Sequence, residues 1–436
     1  MILMLPNAQF LSEVSRAIEI ARALRARGLP VAFGTRGGSH AHLIDAAGFT
    51  ATRLDPPVTP ESEAAFLEAV LAMGPRTRHD FFTDDELRAA VDSEVALIRH
   101  LDADLVVTGF TLSAYLSTRI AGVPLASEHG GSFVPPVLAR GLCPAAVNPP
   151  DPNLARLPLR VQQLVANRAP AFIRGPVAQL NRHARDRGVD PLPNMLSLMC
   201  ADLTLVTELP EVLGLTTRDL EEWRPRWPLR VRRGTSFRWS GPLYARLDLP
   251  VPAAVEAFLA DGPTVLVALT SVTETLLRAV VESARTSGRR LLVATPHDLA
   301  DLADEHTLVT GTLPNHLVMP RVAAAVVMGG QGSVQTALAS GTPFVGLPYH
   351  GEQELNVAVA ERLGSAIRMA PAAAATTALP AAITRLLEEP AFAAAARAAA
   401  ARYAGVDGGS LAAEVIIRWL GERSPGRTIR PSVERR

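Results

Sequence analysis

The sequence contains no lysine: all 43 basic residues are arginine. This excludes a P-loop lysine and any Schiff-base lysine. Cysteine is almost absent as well, with Cys143 and Cys200 alone in 436 residues and no CxxC. Neither a zinc ligand set nor a redox pair is supported, and two isolated thiols suit a reducing, cytoplasmic compartment. Net charge is also lacking, with 43 bases against 43 acids. No basic field points to nucleic acid as a partner, and no acidic tail is present. No apolar run approaches the roughly 18 residues of a membrane span. The opening MILMLPNAQF has no basic flank and reads as a first strand rather than a secretion signal.

What is present is a globular profile, 48% hydrophobic and 20% charged, in a chain long enough for two to three domains. Strand-like runs alternate with helical periodicity. Residues 1–6, 29–35, 50–54, 103–110 and 201–208 read as strands, with helices between the early ones. Residues 133–195 are rich in proline and arginine and read as helices separated by loops. Residues 223–250 are turn-rich with no clear period, so 226–250 is taken as an interdomain linker. Alternation restarts with PTVLVALT, RRLLVAT, AAAVVM and TPFVGLP. Two α/β halves of this kind place a ligand at the carboxyl ends of their strands, in the cleft they face.

The most informative stretch is VVMGGQGSVQTALASGTPFVGLPYHGEQ. A buried strand breaks into Gly329-Gly330-Gln331-Gly332-Ser333, and a helix follows. Glycines there permit a tight turn, and the helix start offers amides and a positive dipole end to an anion. On this loop alone a phosphate cradle and a plain turn remain equally open, since the dinucleotide fingerprint GxGxxG is absent. The next strand ends at Glu352 and Gln353, a carboxylate beside an amide, which suits sugar hydroxyls. Phosphate cradle and hydroxyl clamp together suit a nucleotide sugar.

The segment from Leu313 to Gly364 resembles the donor-binding signature of family 1 glycosyltransferases, which adopt the GT-B fold. Gly329, Gly330, Gly332, Ser333, Ala337, Leu338, Gly341, Pro343, Pro348, Gln353, Asn356 and Gly364 carry the resemblance. It implies two Rossmann-like domains facing a cleft: acceptor-binding over 1–225, donor-binding over 251–404, and a crossing helix with a polar tail over 405–436. It implies that Gly330, Gly332 and Ser333 hold a diphosphate. Ser271 falls at a glycine-serine pair of the family, Leu313 to His316 at the nucleoside base, and Glu352 and Gln353 at the sugar. No cofactor or metal is implied; the nucleotide sugar is a co-substrate, and the other partner is a small-molecule acceptor. A second copy of the chain is left open as a partner.

The sequence departs from the family in three places. Met328 stands where a phosphate-contacting histidine is usual, and Thr336 where a ribose-binding glutamate is usual. The family's histidine base falls at Glu13 and its orienting aspartate at Gly109. Glu13 is therefore the candidate base, with His129 beside Glu128, and Asp80 beside His79, as further candidates. The expected activity is inverting transfer of a sugar from a UDP- or dTDP-sugar to a natural-product acceptor. The alternatives are a non-catalytic GT-B binding or activator protein and a GT-B nucleotide-sugar epimerase.

Overall fold

The structure, a computed structural model, describes residues 1–72, 80–128, 131–269 and 272–423. The chain packs into two compact units. The first comprises Met1–Leu142, Asn167–Leu243 and a C-terminal piece beginning at Asp407. Its sheet has seven strands: β1 (Ile2–Leu5), β2 (Val31–Thr35), β3 (Ala51–Arg53), β4 (Leu105–Thr108), β5 (Leu125–Ser127), β6 (Leu203–Val206) and β7 (Ser236–Trp239). Their order is β3-β2-β1-β4-β5-β6-β7, with every pairing parallel. Parallel strands covered on both faces read as near-continuous apolar runs, and β1 (ILML) and β4 (LVVT) are buried at every residue.

Four helices of this unit matter below: α1 (Leu11–Ala26), α2 (Pro60–Leu71), α3 (Asp84–His100) and α4 (Ala114–Ala121). A reciprocal cap opens α3, in which Thr83 Oγ1 accepts from Glu86 N–H and the Glu86 carboxylate accepts from Thr83 N–H. Such a box satisfies two otherwise orphaned amides. The C-terminal helix Gly408–Arg423 returns to α1, as the resemblance implies. Its Ile416 and Trp419 share a core with Val14 and Ile18.

The second unit comprises Cys143–Ala166 and Tyr244–Val406. Its strands are β8 (Thr264–Ala268), β9 (Arg290–Ala294), β10 (Thr307–Thr310), β11 (Ala324–Val327), β12 (Phe344–Gly346) and β13 (Ala366–Arg368). They form a parallel sheet in the order β10-β9-β8-β11-β12-β13. Helices α5 (Glu274–Arg285), α6 (Asn315–Val318), α7 (Gln331–Ser340) and α8 (Gly351–Arg362) flank it. In each unit the strand order reverses beside the first strand, which is where open α/β sheets bind ligands.

Two boundaries differ from the sequence reading. Residues 226–250 contain β7, which pairs Ser236–Trp239 with Leu203–Val206. A four-residue edge strand set among arginine, glycine and proline carries too little periodicity to be seen. Residues 143–166, read with the N-terminal half, pack into the second unit. There the buried Glu354 carboxylate accepts from Val147 N–H at 2.7 Å and Asn148 N–H at 3.2 Å while pairing with Arg368 at 2.7 Å. Strand β10 is likewise an edge strand that the sequence reading passed over.

Candidate functional site

In the second unit β11 ends at Val327, and Met328 stays in the core with Val265, Val293 and Val345, only 7% exposed. Its thioether is turned to packing and offers no donor to an anion. The chain then turns at Gly329, whose φ is +97°. A Cβ there would sit 2.6 Å from Val357 Cγ2 on α8. Only glycine combines this backbone angle with so close an approach. Asn356 braces the turn, donating to Gly329 O at 3.1 Å.

Gly330 caps α7 without any side-chain hydrogen bond. The first amides of a helix lack intrahelical acceptors, and Gly332 and Ser333 lie in that first turn. A Cβ on Gly330 or Gly332 would meet nothing within 4 Å. The loop therefore presents open space over helix amides, which is what a phosphate group requires. Ser333 is half-buried at this edge. Thr336, one turn on, is 5% exposed and spends its hydroxyl on Gly332 O at 2.7 Å.

Glu352 and Gln353 lie at the start of α8. Glu352 Oε1 accepts from Asn356 Nδ2, so this carboxylate also supports the glycine turn. Gln353 Oε1 accepts from Tyr349 N–H at 2.8 Å, which orients its amide and leaves the NH2 group for other acceptors. Around the start of α6, Leu313 is buried and His316 is half-buried. Burial holds the His316 imidazole below its ordinary range, helped by Arg246 and opposed by Asp248. Buried Asn315 Oδ1 and His316 Nδ1 have no hydrogen-bond partner. Such orphans are uncommon in folded proteins and mark a place that a polar group completes.

In the first unit Glu13 is not the free base that its position suggests. It is 2% exposed. Oε1 accepts from Arg16 Nη2 at 2.5 Å and Oε2 from Phe110 N–H at 2.5 Å. Arg16, 4% exposed, also donates through Nε to Glu128 Oε2. Two buried carboxylates thus share one guanidinium. A Cβ on Gly109 would lie 1.3 Å from Glu13 Oε2 and 2.8 Å from Glu128 Oε1. Glu13 occupies the space that an aspartate at position 109 would need, so the two departures from the family pattern are one steric exchange.

Burial pushes the Glu128 carboxyl well up; Arg16 opposes the shift and the Glu13 charge adds to it. Its Oε1 is buried without a partner. A carboxyl raised in the folded state contributes stability that is fully present below its ordinary 4.5. That contribution is lost as pH rises through the raised value. The melting temperature of the wild type should therefore fall more steeply than that of Glu128→Gln between pH 4.5 and about 8. Parallel curves in a denaturation series would contradict a neutral Glu128.

Asp80 is an exposed surface residue ion-paired with Arg182 at 2.6 Å, a role that accounts for its charge without chemistry. His79, His129 and Ser271 lie outside the described residues. Sequence reasoning missed Arg16; its signal was the i, i+3 spacing from Glu13 on a helix start that carries an apolar face. Among the described residues no cluster of three or more potential ligands could hold a metal ion, and no helix is long and apolar enough to cross a membrane.

Comparison with known proteins agrees with this architecture. Residues 291–407 match the family described as erythromycin biosynthesis protein CIII-like, C-terminal domain. A PGL/p-HBAD biosynthesis glycosyltransferase of Mycobacterium tuberculosis is 25% identical over 329 residues, 73% of this chain and 71% of that protein. The O-mycaminosyltylonolide 6-deoxyallosyltransferase of Streptomyces fradiae is 31% identical over 213 residues, 47% of this chain and 49% of that protein. Among solved structures, the spinosyn forosaminyltransferase SpnP superposes with a TM-score of 0.64 at 14% identity, covering 97% of this chain and 99% of that one. Glycosyltransferase VinC in complex with dTDP gives 0.63 at 17% identity, covering 97% and 100%.

Proposed function

We propose, from the premise that this chain is a GT-B-fold homologue of bacterial glycosyltransferases, that it moves a sugar from a nucleoside-diphosphate sugar to a small-molecule acceptor. The observation that carries the reading is the open glycine turn at the start of α7, braced by Asn356. The amides of Gly332 and Ser333 and the helix end neutralise the leaving diphosphate, a task that needs no lysine. The Gln353 NH2 group, oriented through Tyr349, holds a sugar hydroxyl. The unsatisfied Asn315 and His316 atoms hold the nucleoside base. A dTDP-bound structural neighbour favours thymidine as the nucleoside.

Transfer proceeds by a single displacement with inversion at the sugar carbon. A covalent glycosyl intermediate needs a free carboxylate nucleophile, and Glu13 has both oxygens engaged. The same engagement removes Glu13 as base. The chemistry then suits an acceptor atom that is nucleophilic without a strong base, such as an amine, a carboxylate or an activated carbon.

The locked Glu13 also favours a second reading, a GT-B protein that binds without turnover. Product analysis with a dTDP-sugar separates the readings. A transferase releases dTDP only when an acceptor is supplied, and its glycoside has the opposite anomeric configuration to the donor. A binder releases none at any acceptor, and an epimerase alters the sugar with no acceptor present. Retention of configuration would overturn the single displacement.

A further inference from the structure

Among the described residues the first unit leaves three large apolar side chains exposed, Phe172, Trp227 and Leu411, and the two aromatic ones touch. Trp227 is 71% exposed and Phe172 57%. Their ring centroids lie 6.2 Å apart with the planes at 77°. The two segments that carry them are bound to one short stretch of chain. Met195 N–H donates to Ile173 O at 2.9 Å, and Asn194 Nδ2 donates to Arg230 O at 2.8 Å. Pro225 and Pro228 flank Trp227. Each fixes its own φ, so the aromatic tip is stiff and little freedom is lost when it meets a partner.

Both segments are basic. Residues 223–234, WRPRWPLRVRRG, hold five arginines and no acid, and residues 167–185 hold four arginines and no acid. The acids nearest in sequence are spent on other arginines: Asp202 on Arg232 at 2.7 Å, Asp219 on Arg140, Glu222 on Arg218 at 2.7 Å and Glu221 on Arg238 at 3.9 Å. Arg174, Arg226, Arg230 and Arg233 are exposed and have no ion-pair partner among the described residues. A guanidinium group does not titrate away. In a chain of zero net charge this is a local cationic excess around two protruding rings, and it calls for an anionic partner with an apolar layer.

We infer that Phe172 and Trp227, with Arg174, Arg226 and Arg230, dock the protein on the surface of an anionic phospholipid bilayer, the rings at headgroup depth and the guanidinium groups on lipid phosphates. An indole suits that layer, because its body leaves water while its N–H keeps a polar partner. The guanidinium fork matches a phosphate with two hydrogen bonds. A nucleic acid is served less well, since the two rings meet edge to face instead of standing as parallel stacking platforms. An acidic protein would answer the charge but would need pockets matched to both rings, whereas a fluid bilayer accepts them without any. The contact is peripheral and spans nothing. It stands apart from the transferase reading, because vesicle binding needs neither donor nor acceptor.

The test is co-sedimentation of the full-length protein with vesicles of phosphatidylcholine alone, or of phosphatidylcholine with an equal share of phosphatidylglycerol. The protein should sediment with the anionic vesicles and stay free of the neutral ones, and binding should fade as salt rises. Phe172→Ala with Trp227→Ala should lower partitioning about tenfold or more. Arg226→Gln with Arg230→Gln should lower it about twentyfold, roughly fivefold for each arginine. All four side chains are exposed, so both double variants should melt close to the wild type. No sedimentation with the anionic vesicles, or equal sedimentation with both kinds, would overturn the inference. Full binding by the aromatic double variant would overturn it too, as adsorption by charge alone. So would tighter binding of polyglutamate or of a single-stranded oligonucleotide that is lost in the same variants, since either names a different partner.

Discussion

Gly332→Glu should leave the fold intact and abolish nucleotide binding. A Cβ at this position meets nothing within 4 Å, so no packing is disturbed. Replacing a helical glycine gains roughly 0.5–1 kcal/mol in propensity. A carboxylate in a first helical turn gains about 0.3–1 kcal/mol more from the dipole. The melting temperature should thus match or slightly exceed that of the wild type. The same carboxylate stands where the diphosphate is expected. Two like charges about 4 Å apart repel by roughly 1–4 kcal/mol between bulk water and a protein surface, and a diphosphate carries more than one charge. Affinity for dTDP should fall by about 100-fold or more. Calorimetric titration of the two proteins measures it. Unchanged affinity would remove the α7 start from the site.

Gly109→Ala carries the second large effect, on stability. The new methyl would lie 1.3 Å from Glu13 Oε2, so the carboxylate must leave its place beside Arg16 and the Phe110 amide. Breaking a buried ion pair costs about 3–5 kcal/mol, and the loss should approach the lower figure. Glu13→Ala removes the nearer obstacle, so in the double variant Gly109→Ala should add less, its remaining close contact being Glu128 Oε1 at 2.8 Å. A double-mutant cycle by urea denaturation should give a coupling of about 2 kcal/mol or more. Additive losses would mean that Glu13 does not fill the space beside Gly109.

The two sheets were legible because their central strands are continuous apolar runs, such as TVLVALT and AAAVVM, bounded by glycine or proline. The glycine loop was legible for a different reason: its glycines answer to backbone geometry, and Gly329 meets both demands at once in its positive φ and its contact with α8. Strand β7 was not legible, because SFRW alternates over only four residues set among arginine, glycine and proline, and it is defined by its pairing with β6. The docking of residues 143–166 was hidden as well, since the contact that fixes it, Glu354 with Val147 and Asn148, spans more than 200 positions.

The carboxylate clusters show a deeper limit. Glu13 was singled out because the family's histidine base falls there, at a helix start where a plain dipole-satisfying glutamate also stands. Its locked state depends on Arg16 in the next turn, on the Phe110 amide, and through Arg16 on Glu128, which follows β5. Glu94 lies on a helix whose sequence, DDELRAAVDSEVALIRH, looks like an ordinary charged amphipathic segment. Its complete burial follows from α3 packing over the reversal point of the sheet. Charge burial has no period along a chain, so pattern reading assigns such residues to solvent by default.

The central claim is that the glycine turn at Gly329–Ser333 is a working nucleoside-diphosphate site even though Met328 and Thr336 stand where a histidine and a glutamate are usual. It is tested most directly by the melting temperature of the full-length protein against dTDP, UDP, GDP and ADP, with Gly332→Glu alongside. A ligand that binds only the native state stabilises it by RT ln(1 + [L]/Kd), about 2.7 kcal/mol at a hundredfold excess over Kd. The account predicts a clear upward shift with dTDP or UDP in the wild type and none in Gly332→Glu. No shift with any of the four, or equal shifts in both proteins, would contradict it.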